Sequence, residues 1–597
     1  MGEFGDYFKT WNWEMGFRYS RNDGQRLSVG EASQPGLRDA LLDTNPATAF
    51  DPFLGITGHN TKAARQAVYV TLHNSGEYEL PIGYATINGD LFKLPAGPVS
   101  FAIGGEYDAP RFTRDRDALN NTFQSIGSVD GQSFRVNRDI WGIYEEVRVP
   151  ITSPTWNFPG FYSFEVDFAE REEWYSNNTS AVLPSGLFAG LPAAHSEYNA
   201  QKPKVSIRWE PLDPKWIGAV TLRGSYTEAF HAPTLSELTP ASSQGFPIVA
   251  DPFSTQTEPQ IEERILGNPN LHPEVAYEWT YGAVYSPKWI KGLTLSADWW
   301  HIDMRDIVSA LGAQLIIESN PPTPGVQQQG PLVFRGPSAT SEPGPVTLVI
   351  DPSSNLSGAI FEGLDYEAIY ILDSSIFGHG DFGRLTTTVN GTWISRGEFQ
   401  PTPDSKRFGI AGSFLPPGFA LTSSIPWNRA NFSLFYDGPA DSWLAGVDVG
   451  AIVHWTGQYE DDNVSLTGST KLQDPRSGPF PWRARKVSAW TTLDLIASYT
   501  FNLPPPAPQA PVPGFAKDGG KNVKMEGKEK NVMPVSTAEY NPCGWRAWLN
   551  GTTLTLGMQN VTDEDPPFVA GSFENGYDES LATIKGRFWY VGLKKRF

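Results

Sequence analysis

The 597-residue sequence predicts an all-β fold, an antiparallel transmembrane β-barrel that forms a single domain over residues 1–597. Three observations predict it. The last ten residues alternate with a period of two: Trp589, Val591, Leu593 and Phe597 fall on one face, and Tyr590, Gly592, Lys594 and Arg596 on the other. A barrel strand divides its lipid and lumen faces in this way. Aromatic residues make up 13% of the chain beside 58 Gly and 50 Pro, a composition of aromatic strands cut by turns. The mean hydropathy is nevertheless -0.33, and no run of about eighteen apolar residues occurs. That excludes a transmembrane helix and leaves a barrel open, because only alternate barrel residues meet lipid. The third observation is a sorting of connections by length, visible once the elements are placed in order.

Residues 11–21 alternate cleanly and read as a strand, whereas 23–79 look irregular apart from a short element near Val68, Tyr69 and Val70. Residues 80–93 and 99–112 form a hairpin around a tight turn at 94–97. Further strands are predicted at about 139–151, 160–175, 201–210, 217–230, 274–287, 291–305, 357–372, 382–397, 427–438, 443–459, 488–501, 551–562 and 588–597, about sixteen in all. The connections 94–97, 152–159, 211–216, 288–290, 373–381 and 439–442 are short. Those at 113–138, 176–200, 231–273, 306–356, 398–426, 460–487 and 563–587 are long. Short periplasmic turns and long extracellular loops explain the alternation, and a soluble sandwich does not. Strand faces agree: Val220, Leu222, Tyr226 and Phe230 oppose Thr221, Arg223, Ser225 and Thr227. Acids such as Glu165, Asp167 and Asp298 fall on polar faces, which a hydrated lumen accommodates and a dry core penalises.

One connection breaks the rule. Residues 502–550 fall on the short-turn side yet are long, open with Leu503-Pro504-Pro505-Pro506-Ala507-Pro508 and continue with Lys- and Glu-rich stretches, which predicts a flexible Pro-rich periplasmic insertion. Cys543 is the single cysteine, so neither an internal disulfide nor a cysteine metal cluster is expected. Residues 1–6 lack the basic and apolar regions of a signal peptide.

Particular motifs resemble those of a known family. Tyr226 to Leu238, with Phe230, Ala232, Pro233 and Glu237, is followed by a second stretch containing Asn268, Pro269, Leu271, Pro273 and Glu274. Later come Gly358 to Asp365, then Asn560, Asp563 and Pro567, and the terminal Phe597. In this order they resemble the barrel of TonB-dependent outer-membrane receptors, from about residue 80 to the end. The resemblance implies a structural role for these motif residues, a location in the bacterial outer membrane, and a barrel of 22 strands around an amino-terminal plug. It also implies contact with membrane lipid, an extracellular small ligand of the siderophore, cobalamin or oligosaccharide class, and a TonB complex that drives uptake. Against that pattern the sequence shows no plug and about six strands too few, so the expectation is an amino-terminally truncated, incompletely closed barrel of about 16 strands.

Enzymatic chemistry finds little support. The eight His residues are scattered without metal-ligand spacing, with His231 and His272 read as turn residues of the motifs. Adjacent acids such as Glu172-Glu173 and Glu262-Glu263 point to opposite strand faces and do not converge. No catalytic residue, cofactor site or metal site is therefore expected. The net charge of -20 argues against nucleic acid. Trp299, Trp300, Trp393, Trp455 and Tyr459 are candidates for ring stacking on a ligand, with an interfacial aromatic girdle as the preferred reading. Asp461, Asp462, Glu574 and Asp578 could attract cations but read as solvated loop surface. The alternative function is a soluble β-rich carbohydrate-binding or carbohydrate-active protein.

Overall fold

A computed structural model of the chain describes residues 2–3, 9–54, 58–126, 130–184, 190–255, 260–322, 332–338, 342–373, 376, 380–414, 424–439, 442–461, 486–501, 548–569, 572 and 575–596. Its wall is one antiparallel meander of sixteen long strands. These are β1 (Asn12–Ser33), β2 (Tyr69–Leu94), β3 (Gly97–Asp108, resuming as Arg111–Arg116), β4 (Phe134–Thr152), β5 (Ser163–Thr179), β6 (Ala194–Glu210), β7 (Gly218–His231) and β8 (Glu274–Pro287). They continue as β9 (Leu293–Ser309), β10 (Ser354–Asp373), β11 (Arg384–Gln400), β12 (Asn428–Asp437), β13 (Val447–Thr456), β14 (Trp490–Phe501), β15 (Thr552–Gln559) and β16 (Phe588–Lys595). Each pairs with the next. Among the described residues no ladder joins β16 to β1; the far edge of β1 pairs with Gly2–Glu3.

Register makes the wall two-faced. Across β16 to β10 one cross-strand row reads Val591, Leu556, Ala497, Val449, Tyr436, Leu385 and Leu372. The adjacent row reads Gly592, Thr555, Ser498, Asp448, Asp437, Arg384 and Asp373. A shift of one residue in any strand would exchange its greasy and polar faces, so the pairing is strongly specified. The polar face is internally bonded: the Arg384 guanidinium donates to Asp437 at 2.8 Å, and Ser498 to Asp448 at 3.2 Å.

The short turns have a common chemistry. Gly97, Gly160, Gly218, Gly292, Gly383, Gly446 and Gly551 all have positive φ and stand just before, or at the first residue of, β3, β5, β7, β9, β11, β13 and β15. At Gly292 and Gly446 the requirement is also steric, since a β-carbon would lie 2.0 Å from the Ile371 carbonyl oxygen and 2.1 Å from that of Thr500. Those residues, on the next strand, donate their own N–H groups to the glycine carbonyls, Ile371 to Gly292 at 2.9 Å and Thr500 to Gly446 at 2.7 Å. The expected insertion at 502–550 lies on this side: Phe501 pairs with Thr552, and the Gly551 N–H donates to the Phe501 carbonyl at 2.8 Å. Residues 502–547 themselves lie outside the described residues.

The long connections differ most from expectation. Residues 23–33 and 69–79 are strand, not irregular chain, and extend the first hairpin beyond the predicted segments. Polar residues and glycine fall on both faces there, around Leu27, Val29, Val70 and Leu72, because both faces meet water at this end of the wall, and alternation fades from the sequence. The third strand breaks at Ala109 and Pro110, where proline lacks the N–H a ladder needs, and then continues to Arg116. Two helices, Gln34–Leu42 and Lys62–Val68, cap the first hairpin. The loops after β7 and β9 share a small sheet of Ser242–Gly245, Glu262–Leu266, Val346–Pro352 and Val333–Arg335, closed by the helix Ala313–Ser319.

This two-faced wall yields a direct test. Leu434→Arg, on the lipid face of β12, is expected to cost about 2–4 kcal/mol of folding free energy in phospholipid vesicles, and Ser433→Arg, on the lumen face, within about 0.5 kcal/mol. Guanidinium titrations of the two variants in vesicles would measure the difference, and equal costs would contradict the assigned faces.

Candidate luminal ligand site

Six adjacent strands, β9 to β14, bring polar side chains to one luminal cavity of about 1020 Å³. Strand parity places Asp298, Asp365, Glu367, Asn390, Thr392, Arg429, Asn431, His454 and Thr492 on the inner face. The loop after β15 folds back over it with Glu579 to Thr583, and Ser424 to Pro426 close one side. That lid is fastened, since the Ser424 N–H donates to Ser580 Oγ at 3.0 Å.

The cavity floor is a connected polar network. Asn431 Nδ2 donates to Asn390 Oδ1 at 3.1 Å, and Asn431 Oδ1 accepts from His454 Nδ1 at 2.8 Å. His454 Nε2 stands 3.4 Å from Asp494, whose other oxygen accepts the Asn560 N–H at 2.9 Å. Arg223 grips Asp298 through two bonds of 2.6 and 2.5 Å, and Thr392 donates to Asp365 at 2.6 Å. Asp365, Glu367 and Glu579 lack a guanidinium partner among the described residues, against Arg429 as the only arginine in the lining. The lining is thus acidic overall and rich in amides and hydroxyls, which suits a neutral or cationic polar ligand and repels a polyanion.

The motif residues sort into two fastenings between loop and wall. At the mouth of β7 and β8, the Thr234 hydroxyl accepts from the Glu237 N–H at 3.3 Å and the Glu237 carboxylate from the Thr234 N–H at 2.7 Å, a capping box on the turn Leu235–Leu238. Arg138 reaches from β4 to the Pro233 carbonyl at 2.6 Å, and the Phe230 ring meets Tyr175 edge-on at 6.4 Å. Asn268 donates its N–H to the Glu237 carbonyl and its side chain to Ser353, while Glu274 accepts the Val308 N–H at 2.6 Å. Leu271 is buried against Leu238 and Val308, and Ala232, Pro269 and Pro273 complete the same turns. His231 closes β7, paired with Glu274 in the ladder and 3.4 Å from its carboxylate, rather than lying in a turn, and the His272 backbone is bonded to Asn355 in the turn before β8.

The second fastening joins β15 to the cavity lid. Asn560 and Asp563 both adopt left-handed backbone. The Asn560 side chain bonds both backbone groups of Glu564, and Asp563 accepts the Arg587 N–H at 2.7 Å. Pro567 lines a small void beside Tyr459 and Asp578. Phe597 lies outside the described residues.

Other candidates are resolved residue by residue. Trp299 and Trp393 meet edge-on at 6.5 Å on the outer face, and Trp455 shares that face, consistent with a girdle. Trp300 instead points inward over Gly363. The reading of Asp461 and Asp578 as solvated surface is wrong: both are buried. Asp578 accepts from the Tyr459 hydroxyl at 2.8 Å and from Ser580, so it pins the lid rather than attracting cations. Asp462 and Glu574 lie outside the described residues. Among the described residues no group of three His, Cys, Asp or Glu is arranged to hold a metal.

One acidic convergence escaped the sequence. Glu262 and Glu263 do diverge, but Glu263 turns inward against Asp351 of the neighbouring loop strand, with both carboxyls buried. Asp351 accepts the Leu311 and Gly312 N–H groups at 3.1 and 2.7 Å. Burial, then the Asp351 charge, pushes Glu263 up to about 7. A carboxyl raised in the folded state favours folding while protonated, so this contribution is full below the unfolded value and lost as pH rises through about 7. Loops 232–273 and 310–353 are expected to resist limited proteolysis better at pH 5 than at pH 8, and Glu263→Gln to abolish that difference.

The chain matches the family model described as "TonB dependent receptor-like, beta-barrel" over residues 2–515. A comparison with curated proteins finds no match. Solved structures similar to it include the ferric enterobactin receptor PfeA of Pseudomonas aeruginosa, at 14% identity and TM-score 0.43 over 88% of this chain and 67% of that one. The siderophore receptor PirA of Acinetobacter baumannii is similar at 13% identity and TM-score 0.46, over 89% and 68%. The ferric-catecholate import receptor Fiu of E. coli K12 is similar at 11% identity and TM-score 0.47, over 98% and 62%. The chain thus spans about two thirds of the length of these receptors. With most of its length under one family model, and with an antiparallel wall of long strands, this chain belongs to the TonB-dependent receptor β-barrel family.

Proposed function

We propose that this chain is the barrel of a bacterial outer-membrane receptor that admits a scarce extracellular ligand for TonB-driven uptake. The observation that carries the ligand reading is the luminal cavity, walled by six strands and covered by a fastened lid. Its acids, amides and hydroxyls can pair with the hydroxyls of a neutral ligand, and of the siderophore, cobalamin and oligosaccharide classes this supports the oligosaccharide best. A negatively charged iron chelate would meet Asp365, Glu367 and Glu579 with one arginine to offset them. Membership of a receptor family supports a barrel in lipid over the alternative of a soluble carbohydrate-active protein.

Two measurements test this. The chain expressed in a Gram-negative host is expected in outer-membrane fractions with heat-modifiable migration, and recovery as a detergent-independent soluble protein would overturn the proposal. Asn390→Trp, which fills the cavity from β11, is expected to cut binding of neutral oligosaccharides in a glycan array by at least about tenfold, with membrane insertion unchanged. Unchanged binding in that variant would move the ligand elsewhere.

A further inference from the structure

A second unexplained charge on the wall is positive. On the luminal face of β1 to β3, at their extracellular ends, Arg26, Asn74 and Arg116 lie in one cross-strand row. Gly24, Gly76 and Arg114 form the next row of the same face, one step toward the membrane. Together they line a hollow of about 550 Å³. The two glycines form its floor: a β-carbon at Gly24 would meet nothing nearer than 3.9 Å, and one at Gly76 nothing nearer than 3.7 Å. Missing side chains, rather than a crowded backbone, leave the space open.

The three guanidiniums are not neutralised from within. Among the described residues no ion pair or hydrogen bond reaches the guanidinium of Arg26, Arg114 or Arg116, and both Arg116 Nε and Asn74 Oδ1 are buried without a partner. Burial, and next repulsion from Arg114, lower Arg116 below the usual arginine range, with Arg26 adding to the effect and Asp130 opposing it. This group stands beyond the bilayer, at the end of β3 farthest from its short turn. The neighbouring acids are otherwise engaged or turned away. Asp130 accepts from Asn120 and Ser125, Asp117 accepts the His73 N–H, Asp115 sits on the opposite strand face, and only Glu31 lines the rim. Gly131 gives the Arg116 guanidinium its room, since a β-carbon there would lie 2.8 Å from Nη1.

A ligand of opposite charge would complete like charges gathered in this way, and planar guanidiniums match phosphate and carboxylate oxygens two at a time. Exposed Phe17, Leu27 and Val29 lie on the opposite, outer face of the same strand, so the basin opens on the luminal side, turned away from lipid headgroups. We propose that Arg26, Arg114 and Arg116 form a binding site for a soluble multivalent oxyanion, one with clustered phosphate or carboxylate groups, separate from the acidic luminal cavity.

Calorimetric titration of the full chain in detergent with inorganic pyrophosphate, and separately with citrate, tests this. Saturable binding of at least one anion is expected, weakened by high salt and reduced at least about tenfold by Arg114→Gln and by Arg116→Gln. Arg38→Gln, whose exposed guanidinium pairs with Asp39 on a capping helix, is expected to change nothing. Without anion, Arg114→Gln should raise the melting temperature by removing repulsion, whereas a purely structural arginine would lower it. Should Arg116→Gln fail to fold, Gly24→Leu fills the basin without altering charge and must abolish binding. No binding of either anion at millimolar concentration, binding unchanged in these variants, or a lower melting temperature for Arg114→Gln would overturn the site.

Discussion

Everything in this structure depends on the need of each backbone N–H and C=O in the wall for a partner on a neighbouring strand. A meander of sixteen strands meets that need, and it fixes the side chains as well, because a paired strand can only alternate. The row from Val591 to Leu372 is apolar and the row beside it runs from Gly592 to Asp373 because the ladders leave no other arrangement. The glycines that open the rising strands serve the same constraint, turning the chain in the least space so that the next ladder can begin at once.

Beyond the ladders of the wall the constraint relaxes, and side chains take over the fastening. Asn and Asp side chains there bond backbone groups of the loops and strand ends: Asn355 to His272 and Asp306, Asp351 to Leu311 and Gly312, Asn560 to Glu564. Each satisfies backbone groups that irregular chain leaves open. The same chemistry reaches the cavity floor, since Asp494 holds the Asn560 backbone with one oxygen and faces His454 with the other. Lid position and cavity polarity are therefore parts of one network. That coupling is a structural reason for a side chain such as Asp578 to be buried in a loop where solvent would otherwise be its natural place.

The two charged regions of the inner wall differ in kind. Around the cavity Arg223 is already paired with Asp298, Arg429 is the one arginine of the lining among the described residues, and the surplus is negative. Near the mouth of β1 to β3 the surplus is positive and unpaired, over a floor of glycine. One hydrated face thus carries opposite fields on separate strands, which an apolar core could not sustain.

The sequence by itself determined the wall: strand number, direction, which residues share the apolar and the polar face, and the long and short sides all follow from a period of two and from turn residues. It also marked the motif stretches around Asn268 and Asn560. It did not show the upper parts of β1 and β2, where Arg26 and Asn74 stand in strands wetted on both faces and hydrophobic alternation carries no signal. Nor did it show that Glu263 meets Asp351, that Asn431 bridges Asn390 and His454, or that Arg26 joins Arg114 and Arg116. Those encounters were decided by tertiary structure, because they depend on which strands become neighbours and at what register. Parity along one strand says which face a residue takes, and only the ladders say what stands beside it.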